Sequence, residues 1–120
     1  MLKQSRISAV VFTISNLEQT VRFYRDVLDL DVNVEQTDEG AYATAQLQGS
    51  VLVFFPGESQ PGKTPIVVFG VERGIEAVAA ALADRGVEFV VPVSHAPDGG
   101  LTADFVDPDG HVLSLYQSPE

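Results

Sequence analysis

A chain of 120 residues has the length of one ordinary domain, enough to bury a real core. Its 45% hydrophobic and 20% charged content excludes wholesale disorder, and its apolar runs, such as 9–12 and 51–55, are too short to span a bilayer. The net charge of −10 weighs against a nucleic-acid partner, whose phosphates need clustered Lys and Arg, and the lack of cysteine excludes disulfides and thiolate sites. Residues 1–6 lead into a strand rather than a secretory apolar segment, so the chain reads as cytoplasmic, with no membrane partner.

Residues 7–14 alternate around Val10, Phe12 and Ile14, which predicts a strand with one buried face. Ser15-Asn16-Leu17-Glu18 has the form of a capping box, with Ser15 ahead of Glu18. Leu17, Val21, Tyr24 and Leu28 follow at helical spacing and predict an amphipathic helix of about three to four turns. Strands are expected at 31–36, 41–47 and 51–55, with turns at 37–40 and 48–50. Asp31 and Glu35 read as edge-strand charges that discourage aggregation.

Residues 57–64 are rich in Gly, Pro, Ser and Gln, which is linker chemistry. The order then recurs. Residues 65–71 predict a strand, and Ile75, Val78, Ala79 and Leu82 a second helix that stops at Arg85-Gly86, with Gly86 as its left-handed cap. A strand at 87–93 leads into a loop at 94–100 that holds His95. A closing hairpin spans 101–106 and 111–117. In its turn Pro108 fixes one backbone angle, Asp109 caps locally and Gly110 supplies a positive φ. The Asp107 and Asp109 pair belongs to that turn, and both His95 and His111 read as surface residues.

Both halves therefore run strand–helix–strand–strand–strand, with Ile14 and Val71, and then Gly49 and Gly110, at equivalent places. A repeat of about 60 residues in two copies is not a solenoid. The reading is a single domain, 1–120, with modules at 7–56 and 65–117 joined by the linker 57–64. No Ser-His-Asp arrangement, phosphate-cradling glycine loop or catalytic carboxylate pair stands out.

Ile14-Ser15-Asn16-Leu17 running into Val21-Arg22-Phe23-Tyr24, then Val27-Leu28-Asp29-Leu30, Arg85-Gly86-Val87-Glu88 and Asp107-Pro108-Asp109-Gly110 carry a resemblance. In this order and spacing they resemble the vicinal oxygen chelate superfamily, the group of glyoxalases, bleomycin-resistance proteins and extradiol dioxygenases. The match covers nearly the whole chain. It implies an α+β fold in which tandem βαβββ modules form a curved, partly open, barrel-like mixed sheet with helices on the convex side. It also implies a homodimer and a small-molecule site enclosed by the concave sheet.

Metal-dependent members of that superfamily place four His, Gln or Glu ligands on the first and last strands of each module, ligands suited to Zn, Ni, Mn or Fe(II). Counting back from Asn16, which stands where the family usually has Asp, and from Phe69, and forward from Gly49 and Gly110, carries those positions onto Ala9, Ile66, Val53 and Ser114. The first three have no donor atom and Ser114 is a poor ligand, so the expectation is no metal, no cofactor and no catalytic residue.

Alternation from those four positions nominates Ala9, Val11 and Thr13, Val53 and Phe55, Ile66, Val68 and Gly70, and Val112, Ser114 and Tyr116 for the cavity. Tyr42, Thr44, Gln46, Thr102 and Asp104 join them from the remaining strands. The opposite faces are uniformly apolar and suit packing under the helices. The ligand-binding candidates are Ala9, Thr13, Tyr42, Phe55, Ile66, Asp104, Ser114 and Tyr116. The resemblance thus points to a metal-free binding protein, similar to the bleomycin-resistance type, that sequesters an aromatic or cationic compound. Two alternatives stay open: a metal-dependent glyoxalase-like lyase or isomerase or an extradiol-type dioxygenase with other ligands, and a domain that associates with another protein.

Overall fold

Among the described residues, which are all but Leu2, Ser5, Lys63 and Thr64, the computed structural model forms eight strands and two α-helices in the expected order. The chain divides into two compact units, Met1–Gln60 and Pro61–Glu120. The linker expected over 57–64 ends in Lys63 and Thr64, and the lead-in 1–6 includes Leu2 and Ser5; those positions lie outside the described residues.

The first unit contains β1 (Ala9–Ile14), α1 (Leu17–Val21) continued by a π-helical segment (Arg22–Val27), β2 (Asp31–Thr37), β3 (Gly40–Leu47) and β4 (Ser50–Pro56). Its open, four-stranded sheet has the order β1-β4-β3-β2, with β1 parallel to β4 and the other pairs antiparallel. The alternation works as expected: Phe12, Ile14, Ala43, Ala45, Leu52 and Phe54 are buried on the helix side. Tyr24 joins them, its ring 4.5 Å from Phe54 and 6.1 Å from Phe12. Each such aromatic pair adds about 0.5–1.5 kcal/mol beyond area burial. Asp31 and Glu35 lie on β2, an edge strand, as expected.

Two local features of this unit differ from expectation. The side-chain cap of α1 is Asn16, whose Oδ1 accepts the Gln19 N–H at 2.9 Å, so the cap sits one residue later than Ser15. The helix also widens after its first turns, the Leu28 N–H bonding to the Phe23 carbonyl and the Leu30 N–H to the Tyr24 carbonyl. Asp29, at φ 63°, ends it in the left-handed region that Asp tolerates better than most residues.

The second unit contains β5 (Val67–Gly70), α2 (Ile75–Asp84), β6 (Glu88–His95), β7 (Leu101–Val106) and β8 (Val112–Gln117). Its sheet has the order β5-β8-β7-β6, again with one parallel pair, β5 with β8. Ala103, Phe105, Leu113 and Leu115 are buried on the side of Ile75, the fully buried first residue of α2. Gly74 precedes α2 without a side-chain cap of its own; the Gln117 Oε1 accepts the Ile75 N–H at 3.0 Å instead. Gly86 ends the helix at φ 90°, as expected, with the Val87 N–H returning to the Leu82 carbonyl.

β6 runs past Pro92 to His95, so His95 ends a strand instead of lying in the loop. The register slips between Phe89 and Val91 and again between Val91 and Ser94, which an edge strand with a proline accommodates. In the β7–β8 turn Gly110 has φ 89°, as expected. Asp107 caps this turn: its Oδ1 accepts the N–H groups of Asp109 at 3.0 Å and His111 at 2.9 Å. His111 follows this turn into the core and is only 7% exposed, which corrects its reading as a surface residue.

Candidate functional site

With one face of each sheet committed to a helix, the other face is left open. On the first sheet, Ala9, Thr13, Tyr42 and Phe55 fall on the side away from α1, together with Val11, Thr44 and Val53. Thr13 stands opposite Phe55 in the β1–β4 ladder, and Glu35 opposite Tyr42 in the β2–β3 ladder. The rings of Tyr42 and Phe55 lie 5.1 Å apart at 33°, a tilted stack, and Phe55 is 44% exposed. Beside this pair is a cavity of about 330 Å³, walled also by Thr37, Glu39 and Pro56. That volume lies at the lower end of small-molecule pockets.

On the second sheet the exposed face carries Ile66, Asp104, Ser114 and Tyr116, with Val68 between the first two rows. Val68 and Asp104 both stand opposite Ser114, and Asp104 also stands opposite Val91. Ile66 is 45% and Val68 57% exposed, whereas Ser114 is buried. The Ser114 hydroxyl donates to the Ala103 and Leu115 carbonyls at 3.1 and 3.2 Å and lies 3.2 Å from Thr102 Oγ1. Thr102 donates in turn to the Leu115 carbonyl. Both hydroxyls are thus tied to the sheet's own backbone.

The Tyr116 hydroxyl donates to Asp98 Oδ2, in the β6–β7 loop, while Asp98 Oδ1 accepts the Gly100 N–H at 2.9 Å. The Tyr116 hydrogen bond, reinforced by Gly100, holds the Asp98 carboxyl below its ordinary value. The same bond to an anion pushes the Tyr116 phenol upward. Asp98 was not legible as a site neighbour, because it enters through a loop contact that strand alternation does not encode.

The electrostatics of both faces are one-signed. None of the eight strands contains Lys or Arg, while the exposed faces carry Asp31, Glu35, Glu88 and Asp104. Ala9 and Val53 share the exposed face of the first sheet, and Ile66 and Ser114 that of the second. Three of these offer no donor atom, and the Ser114 hydroxyl is held by backbone carbonyls, so these residues do not fit a metal ion. Among the described residues no three His, Asp or Glu side chains form a metal-holding group.

A larger hollow, about 460 Å³, lies on the helix side of the first sheet between α1 and Val34 of β2. Its two arginines are already engaged, Arg22 with Glu18 at 3.7 Å and Arg25 with Asp26 at 3.1 Å. The smaller cavity beside Tyr42 and Phe55 has the better recognition chemistry.

The model of the Glyoxalase/Bleomycin resistance protein/Dioxygenase superfamily matches residues 6–115. No curated protein matches the chain. Among solved structures, TnmS3, an antibiotic binding protein from Streptomyces sp. CB03234, is similar with a TM-score of 0.82 at 23% identity, over 98% of this chain and 99% of that one. A superfamily member from Sphaerobacter thermophilus DSM 20745 is similar with a TM-score of 0.82 at 23% identity, over 98% and 100%. A glyoxalase family protein from Enterococcus faecalis is similar with a TM-score of 0.77 at 26% identity, over 94% and 98%.

Proposed function

The chain belongs to the Glyoxalase/Bleomycin resistance protein/Dioxygenase superfamily, and on that premise we propose that it is a metal-free small-molecule binding protein that sequesters an aromatic or cationic compound. The observation that carries this reading is the exposed sheet face. Where metal-dependent relatives keep ligands the first sheet has Ala9 and Val53 and the second has Ile66 and Ser114, and on the first sheet the stacked Tyr42–Phe55 pair lines a cavity. Aromatic faces and one-signed carboxylates are chemistry for holding an organic guest. The likeness to TnmS3, an antibiotic binding protein, supports the same class.

The candidate binding residues are Ala9, Thr13, Tyr42 and Phe55 on the exposed face of the first sheet, and, on that of the second sheet, Ile66, Asp104, Ser114 and Tyr116. The protein works as a cytoplasmic homodimer, which sedimentation of the purified chain tests for its stoichiometry. No helix among the described residues is long and apolar enough to cross a membrane, and the net charge of −10 disfavours nucleic acid.

A thermal-shift screen of aromatic antibiotics and cationic glycopeptides tests the function, with metal analysis of the same preparation. A true ligand at about a hundred times its Kd adds about 2.7 kcal/mol to stability. A flat response across the library overturns binding, and a stoichiometric transition metal overturns the metal-free assignment.

A further inference from the structure

We propose that Asp104 is the counter-ion of the exposed face of the second sheet, and that this face selects an organic cation with an aromatic body over its neutral or anionic counterparts. The proposal rests on the binding reading above and narrows its ligand to one charge.

Asp104 is half-buried in the middle of β7, with Ser114 on one side in register and Val91 on the other. Among the described residues its carboxylate meets neither a hydrogen-bond donor nor a cation. The polar neighbours that stand nearest in register are spent elsewhere: Ser114 donates to the Ala103 and Leu115 carbonyls, and Thr102 to that of Leu115. Around it the face is apolar and open, with Ile66 45%, Val68 57% and Val91 38% exposed. Glu88, the other carboxylate of this face, is exposed at the start of β6.

A guest that covers Ile66, Val68 and Val91 also strips water from Asp104. A neutral guest leaves that carboxylate desolvated and unpaired, which is costly. An anionic guest adds repulsion. A cation replaces the lost water with a charge-assisted hydrogen bond. Among the described residues no strand supplies a Lys or Arg to compete for that place.

Three probes with one ring system isolate charge: 1-naphthylmethylamine, 1-naphthalenemethanol and 1-naphthoate, titrated into the full chain and followed by backbone amide NMR shifts. The amine binds about tenfold or more tighter than the alcohol in the native protein, with naphthoate weakest. Asp104→Asn brings the amine and the alcohol to within about twofold of each other, without weakening the alcohol. Asp104→Glu, which keeps the charge, retains the preference and separates charge from folding. An alcohol that binds the native protein as well as the amine overturns the proposal, as does an amine preference that survives Asp104→Asn. Failure of all three probes, alongside a positive antibiotic screen, overturns the Asp104 assignment alone. Failure of both overturns the binding function itself.

Discussion

The hydroxyl of Tyr116, near the end of β8, donates to the carboxylate of Asp98 in the β6–β7 loop, so the rim of the second sheet is fastened to the loop beside it. The bond shifts both partners, Asp98 below the ordinary 3.8 and Tyr116 above the ordinary 10.0. A depressed carboxylate contributes stability that is present above its unfolded pKa and is lost as pH falls through the folded value. A raised phenol contributes stability that is present below its unfolded pKa and is lost as pH rises through the folded value. Tyr116→Phe removes the phenol's contribution and the larger part of the carboxylate's. Its stability deficit relative to the native protein is therefore widest between about pH 5 and pH 9 and narrows toward both extremes. NMR titration of the Asp98 carboxyl in the variant shows its pKa rising, yet staying below ordinary because Gly100 still donates.

Gly100 sits inside that fastening. A Cβ there meets the Gln117 carbonyl oxygen at 2.5 Å and Tyr116 Cε1 at 3.1 Å, so any side chain displaces backbone. Gly100→Ala destabilises the protein by about 1–3 kcal/mol, read as a lower urea midpoint with an unchanged slope.

Phe54 anchors the first unit. It is 0% exposed, with its ring 4.5 Å from Tyr24 and 5.2 Å from Phe12. Phe54→Ala costs about 3–5 kcal/mol in equilibrium denaturation, a large part of a small domain's stability.

Gln117 performs at a distance the service that a capping side chain performs locally, accepting the Ile75 N–H from the far end of β8. Gln117→Ala leaves that part-buried donor without its partner and costs about 1 kcal/mol. Faster hydrogen exchange at the Ile75 amide than elsewhere in α2 reports the loss.

These contacts mark where the sequence was readable. The strands, Gly86 and Gly110 follow from local rules, because alternation and positive φ are properties of a few consecutive residues. The cap of α1 was ambiguous: Ser15 with Glu18 and Asn16 with Gln19 satisfy the same spacing, and only the geometry selects Asn16. The π-helical widening leaves the apolar spacing of Val21, Tyr24 and Leu28 unchanged, so periodicity could not reveal it. The Asp98–Tyr116 bond and the Ser114–Ala103 bond join residues distant in sequence, and strand alternation encodes neither. For the site, the faces were legible and the hydrogen-bond partners were not.

The central claim is that an organic guest is held without a metal. Calorimetric titration of the tightest compound from the antibiotic screen, into protein with and without exhaustive chelator treatment, tests it most directly. The expected result is the same affinity in both preparations, a metal content far below one per chain, and a clear loss of affinity in Phe55→Ala. Stoichiometric transition metal in the untreated protein, with binding abolished by the chelator and restored by the metal, contradicts it.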